Sequence, residues 1–328
     1  MKDKDTLPHG LLQICLLDGT GGLQKMGTEE LNDWTPEKGC LWLHFDLTSD
    51  AAAQWLRKRP DLDPIVVESL LTVDSRPRLS RVGSGALLAF RGVNLNEGAA
   101  PADMIGIRLW LDDHLIITTQ RRSLRSVTDL IESLKMGDGP EDAPGIVVEL
   151  TERLVSRMSD TVDDLEEQIA DLEATTLEET KTETRSALSH LRRQLIALRR
   201  YLAPQREALT SLVASKFSWL DERDRLALRE TGDQLIRHLE DLDAIRERAA
   251  VTQEELQNRL TEQQNVRMYV LSIVAAIFLP LGFLTGLLGI NVGGIPGAEN
   301  PSSFLIFVLF LIAVVTAQII YFRIRKWF

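Results

Sequence analysis

Two long uncharged runs dominate the hydrophobic pattern of this chain. No charged residue falls between Met268 and Ala298, and none between Asn300 and Phe322. The first contains Met268–Leu288, 21 residues. At 1.5 Å rise such a helix is about 31 Å long, the thickness of a hydrocarbon core. Phe304–Phe322 supplies a second run of 19 residues. Uncharged runs this long predict two transmembrane helices rather than a pair of buried core helices. The connecting stretch 289–303 has no Lys or Arg. Arg259 and Arg267 precede the first run, and Arg323, Arg325 and Lys326 follow the second in a basic tail, 323–328. The positive-inside rule then places both termini in the cytoplasm and the loop outside. Tyr269, Tyr321 and Trp327 fall near the span ends, as interfacial aromatics do. Two spans cannot enclose a pore alone, so solute movement requires an oligomer.

Ahead of the spans the pattern changes twice. Short apolar or alternating runs at 11–17, 40–47, 84–95 and 104–119 read as strands. Helical stretches fit Ala51–Arg59, Pro64–Leu71 and Leu124–Leu134. Gly137–Gly145, rich in Gly, Pro and Asp, reads as a linker. Residues 1–140 therefore predict a small α/β domain. From Ile146 to residue 266 a helical stalk is expected. One apolar stripe runs Val147, Leu150, Leu154, Met158, Leu165, Ile169, Leu172, and another Leu188, Leu191, Leu195, Leu198, Leu202. A third runs Leu235, Leu239, Leu242, Ala249, Leu256, Leu260. These are helix-packing seams without chemistry of their own. Ser218 or Asp221 can cap the last helix, and no proline interrupts it before Pro280. A continuous helix over 220–288 would be about 100 Å long, a stalk suited to carrying conformational change into a pore.

Charge sharpens the division. The 328 residues hold 37 basic and 48 acidic side chains, a net of −11. Residues 267–328 contain four basic residues and one acidic, which leaves 33 and 47 in 1–266, a net of −14. An acidic body is no nucleic-acid binder. The N-terminus, Met1-Lys-Asp-Lys-Asp, leads into no apolar segment, so no signal peptide is expected and the body should stay cytoplasmic. Cys15 and Cys40 lie in apolar runs and read as buried thiols in a sheet, not as a disulfide or zinc framework. The sequence has no P-loop, H-E-x-x-H, G-x-S-x-G or G-x-G-x-x-G. Gly19-Thr-Gly-Gly22 reads as a hairpin loop. His44 and His114 in strand-like runs read as structural histidines. No zinc-ligand spacing and no acid/base constellation is visible, so neither enzyme activity nor a resident cofactor is expected.

The chemistry that remains sits where the first span ends. Gly289-Ile290-Asn291 is followed by Val-Gly-Gly-Ile-Pro-Gly297. Glycines allow close approach of backbones, and Asn291 offers an amide carbonyl at the membrane edge. In a symmetric oligomer these oxygens form a ring suited to a hydrated cation. Counting back from Gly289 in steps of three and four gives Gly286, Gly282, Leu279, Ala275, Ser272, Met268 and Asn265. Small or flexible residues dominate that face. It reads equally as tight helix packing, since Gly282 and Gly286 form a G-x-x-x-G, or as a pore lining with Asn265 and Met268 as its lower constriction.

At these residues the chain resembles the CorA-type divalent-cation transporters. The resemblance spans an acidic α/β domain with Leu41-Trp-Leu-His-Phe-Asp, Leu62-Asp-Pro-Ile-Val-Val-Glu-Ser-Leu-Leu and Arg76-Pro-Arg, then a stalk, two spans and a basic tail. The family signature Gly-Met-Asn, usually preceded by Tyr, stands here as Leu288-Gly289-Ile290-Asn291. With Val292-Gly293-Gly294-Ile295-Pro296-Gly297 it is similar to the zinc-transporting ZntB branch. The resemblance implies a homopentamer in the bacterial inner membrane with the first spans around a central pore. It implies Zn²⁺ import, with related divalent ions carried and coupling to a proton gradient. It makes Gly289, Ile290 and Asn291 the external filter, and aligns Asn265, Met268 and Leu271 with pore-facing positions near the cytoplasmic gate. Glu299 corresponds to a loop acid that attracts cations. Five bodies of −14 would carry about −70, a field that concentrates cations at the inner mouth. The expected lining has no His, Cys, Asp or Glu, so a largely hydrated ion is the simpler cargo. A passive Mg²⁺/Co²⁺ channel and a membrane-anchored sensor without transport remain as alternatives.

Overall fold

The computed structural model describes residues 10–73, 75–178, 182–290, 295, 297 and 300–325. Contacts divide the chain into one unit up to Gln253 and another from Glu254.

The first unit is built on a seven-stranded sheet: β1 (Leu11–Leu17), β2 (Leu23–Lys25), β3 (Leu41–Asp46), β4 (Arg78–Val82), β5 (Gly85–Gly92), β6 (Ile105–Leu111) and β7 (Leu115–Gln120). Their order is β2-β1-β3-β7-β6-β5-β4. Among the described residues only the β3–β7 pair is parallel. β3 lies inside the sheet and is buried on both faces, which is why Leu41 to Phe45 read as a continuous run rather than an alternating one. Three helices belong to this part of the chain, α1 (Thr28–Asn32), α2 (Asp50–Arg57) and α3 (Pro64–Leu71). Leu43, Phe45, Leu56, Val66, Leu70 and Ile117 form one buried cluster with residues of α2 and α3. Asp63 starts α3 by accepting from the Ile65 N–H at 2.7 Å, with Pro64 in the first turn.

Several sequence expectations are refined. The run at 104–119 is a hairpin, not one strand. Asp112 Oδ1 accepts from the His114 and Leu115 N–H groups at 3.0 and 2.9 Å and turns the chain. His114 therefore sits exposed in the turn rather than in a strand. The edge strands β2 and β4 escape the pattern because one is three residues long and the other is mostly polar. Asp18 Oδ1 accepts from Thr20 and Gly22 N–H groups at 2.8 Å, and Gly21 takes φ +92°, so the glycine run is the β1–β2 turn. The linker is shorter than expected. After α4 (Arg125–Met136), helix α5 (Ala143–Ser156) already begins within it, because Asp142 caps Gly145 N–H at 2.9 Å. Cys15 is buried and Cys40 partly so, and burial pushes their thiols up to about 11 and about 12.

The stalk is four helices. After α5 come α6 (Met158–Glu178), α7 (Thr182–Ala214) and α8 (Glu222–Leu288). The predicted seams are buried from Val147 to Ile169, from Leu188 to Leu202, and at Leu235, Leu239, Leu242 and Ala249. Asp221 caps α8, accepting from Asp224 N–H at 2.8 Å, and Ser218 lies outside the helix. Arg248 clamps Glu173 on α6 with bonds of 3.0 and 2.7 Å. α7 joins β5 through Gln205, whose Oε1 accepts from Arg91 N–H at 2.7 Å.

A buried polar cluster ties β3 to β7. Thr118 Oγ1 accepts from Trp42 Nε1 at 2.8 Å and lies 2.7 Å from His44 Nδ1. All three side chains are essentially inaccessible to water. His44 is thus the structural histidine that its strand context predicts. Thr118→Val keeps the shape and leaves the indole N–H orphaned. It should cost about 1–3 kcal/mol, read as a lower Tm of the full chain.

In the second unit, α8 passes the 266–268 boundary without a break. A change from polar to apolar side chains does not interrupt backbone hydrogen bonding. Helix α9 (Ser303–Ile324) follows. Both α8 and α9 are long and apolar enough to cross a membrane, by length and composition.

Candidate functional site

Positions on α8 fall into two faces. Ile273, Ala276, Ile277, Pro280, Leu281 and Leu284 are partly covered. On α9 the covered positions are Phe307, Leu311, Val314, Val315, Gln318 and Phe322, again at steps of three and four. Phe278 and Leu281 share a groove of about 520 Å³ with Leu311, Ile312 and Val315. The two helices therefore flank a common groove.

The other face of α8 is uncovered. Asn265, Met268, Leu271, Ser272, Ala275, Leu279, Gly282, Gly286 and Gly289 are all exposed in the single chain, Leu279 at 72%. At 100° per residue this face is centred roughly 155° from the covered one. An added Cβ at Gly282 or Gly286 would meet nothing within 4 Å. The G-x-x-x-G pair is thus not packed by α9. Gly282 sits at the edge of the face, because it also borders the interhelical groove.

Polar groups on this segment are turned toward its own backbone. Ser272 Oγ donates to the Met268 carbonyl at 2.8 Å. Thr285 Oγ1 donates to Leu281 O at 2.9 Å and Gly282 O at 3.2 Å. Such back-bonding leaves hydroxyl lone pairs available as acceptors. At the end of the helix Gly289 N–H donates to Thr285 O at 2.9 Å and Gly286 O at 3.3 Å. A Cβ at Gly289 would stand 2.9 Å from Thr285 O, so close approach of backbone demands glycine there. Ile290 follows, half exposed. Asn291 and Glu299 lie outside the described residues, as do Val292, Gly293, Gly294 and Pro296. Before α9, Gly297 takes φ +83° and its carbonyl accepts from Ser303 Oγ at 2.5 Å.

The arrangement offers neutral oxygens rather than ionised ligands. Among the described residues no group of three or more His, Cys, Asp or Glu side chains is placed to hold a metal ion. Sequence reasoning passes over Thr285 and Gln318. Both are visible as isolated polar residues in apolar runs, the signal that marks functional positions in spans.

Comparison with known proteins gives a consistent family. The chain is 39% identical over 324 residues to the zinc transport protein ZntB of Pectobacterium carotovorum, covering 99% of this chain and 98% of that protein. It is 40% identical over 323 residues to the divalent cation transporter CmaX of Pseudomonas aeruginosa, covering 97% of each. The solved structure of full-length CmaX superposes with a TM-score of 0.86 at 39% identity, over 98% of this chain and 100% of that one. The CorA magnesium transporter of Methanocaldococcus jannaschii shares the fold, with a TM-score of 0.81 at 16% identity over 97% of this chain and 99% of that one. The family model described as CorA-like Mg²⁺ transporter protein matches residues 37–326. The chain, with its soluble α/β unit, long helix and two apolar helices, belongs to the CorA-like transporter family.

Proposed function

We propose that this protein carries Zn²⁺ and related divalent cations across the cytoplasmic membrane, as a ring of five identical copies. The observation that carries this reading is the small-residue face of α8, left bare on the side away from α9. A ring of copies would turn that face inward and leave α9 outside. Gly289, Ile290 and Asn291 would then stand at the outer mouth, and Asn265, Met268 and Leu271 at the inner one. Glu299 would add negative charge beside the entrance. Backbone carbonyls, hydroxyl lone pairs and the Asn291 amide can hydrogen-bond the inner-shell waters of a cation. That permits passage without the thiolate or imidazole ligation of a tight zinc site. The acidic soluble unit draws cations toward the cytoplasmic side, and both termini are assigned there from Arg259, Arg267, Arg323 and Arg325.

Purified protein in liposomes should admit Zn²⁺, and Asn291→Ala should slow entry at least about tenfold with oligomer size unchanged, the loss of one oxygen ring being worth about 1.4 kcal/mol or more. Entry that quickens under an inward proton gradient supports a coupled importer. Entry of Mg²⁺ equal to Zn²⁺ and indifferent to pH would replace zinc import with a passive channel. Intact oligomers that admit neither ion would sink transport altogether.

A further inference from the structure

α5 and α6 meet at a one-residue break, Arg157, and the structure places a buried histidine of α8 against it. His238 is 7% exposed. Its Nε2 lies 3.5 Å from Ser159 Oγ of α6, and the Val155 backbone of α5 acts on the ring in favour of its charged form. One side chain thus touches all three helices at the point where the helical path is interrupted. Arg157 itself is ion-paired to Asp129 of α4. Beside the break opens a polar cleft of about 1280 Å³, lined by Ser156, Ser159 and Asp160 on one side and by Thr231 and Gln234 of α8 on the other. Water, and with it protons, reaches within a turn of His238.

We propose that His238 is a proton-sensitive latch, which holds α8 against the α5–α6 break when neutral and releases it when protonated. The charged groups acting on the ring are Arg237 and Asp241 of α8 and Asp163 of α6, while α5 presents a neutral carbonyl. α7 meets α8 further along, where Arg199 pairs with Asp243. Burial is the largest influence and pushes the imidazole below its ordinary 6.5, against the pull of Asp241 and Asp163. The sign follows. Above 6.5 the ring is neutral whether packed or released, and the latch is unaffected. As pH falls below 6.5 the released ring takes a proton and the packed ring does not, so release gains population until the packed ring titrates too. α8 continues unbroken from His238 to Leu288. An effect on ion flux rests on the transport reading above, but the latch does not.

The test is hydrogen exchange of full-length protein in lipid nanodiscs, from about pH 7.5 to about pH 5, corrected for the intrinsic rate. Segments 150–162 and 232–244 should open by up to about tenfold per pH unit below 6.5. His238→Gln keeps an N–H donor but cannot titrate, and should flatten the response. Asp241→Asn removes a carboxylate that favours the imidazolium in the packed state, and should leave the onset in place while extending the rise to lower pH. A flat wild-type profile, or the same rise in His238→Gln, overturns the latch. Zn²⁺ entry measured on the same protein reconstituted in liposomes separates the two ideas: normal titration of the segments without any ion entry removes the transport reading and leaves the latch standing.

Discussion

Ala275→Lys should abolish divalent-cation flux while oligomers still assemble. Ala275 is exposed on the bare face of α8, away from the partly covered Ile273, Ala276 and Ile277. In a five-fold ring one substitution puts five ammonium groups around the lumen. Each repels a divalent ion at ~6 Å by about 1.4 kcal/mol even at the dielectric constant of water, and five together by about 7 kcal/mol. Half of that, after screening, still slows passage by more than about a hundredfold. Ala275→Glu has similar bulk and opposite charge, and should keep cation entry. Liposome flux of Zn²⁺, with oligomer size measured alongside, distinguishes charge from obstruction. Equal loss in both variants would mean plugging or misfolding, and undiminished flux in the lysine variant would take this face out of the pore. Ala276→Lys is the contrast. It drives a charge into the seam beside α9, so assembly itself should fail.

The second large effect is acid sensitivity of the soluble unit through His44. Burial lowers this imidazole from 6.5 to about 4, against a small upward pull from Asp46. At pH 7 the ring is neutral in folded and unfolded chains alike and contributes nothing. As pH falls below 6.5 the unfolded chain binds a proton that the folded one refuses, so stability declines until about pH 4. The full interval corresponds to about 3 kcal/mol. Urea unfolding of the full chain at pH 7 and at pH 4.5, compared with His44→Gln, isolates the contribution. The variant should start less stable, because Thr118 Oγ1 loses one of its partners, but should lose about 2–3 kcal/mol less on acidification to pH 4.5. Parallel pH profiles would show that His44 is not the group that titrates. His238 differs in kind, since it packs at a helix break beside a polar cleft and its protonation should open a local contact rather than the sheet.

Much of this architecture is legible along the chain. Repeats of three and four residues mark seams that prove buried, from Leu188 to Leu202 and from Leu235 to Ala249, because burial is what selects apolar residues at helical spacing. The strands at Leu11–Leu17 and Leu41–Asp46 coincide with apolar runs for the same reason. What depends on distant partners is less visible. β4, with Arg78, Ser80 and Arg81, is a strand only because β5 offers it a ladder. The split of 104–119 follows from one carboxylate, Asp112, capturing two N–H groups. The early start of α5 follows from Asp142 capturing the Gly145 N–H at a helix end.

For the candidate site, composition and periodicity alone set the two uncharged spans, the Gly289-Ile290-Asn291 turn and the small-residue face, since a bilayer admits only long apolar helices and charge must stay at its margins. Periodicity could not separate a packing seam from a lining, because both select small residues at the same spacing. The tertiary structure decided that Ile273, Ile277 and Leu284 are partly covered while Ala275, Leu279 and Gly286 are left bare. It also decided that Gly289 is required by a carbonyl 2.9 Å from its missing Cβ, and that His238 lies at the α5–α6 break 79 residues away in sequence from Ser159. The His238–Ser159 contact joins residues far apart along the chain, and only packing in three dimensions brings them together.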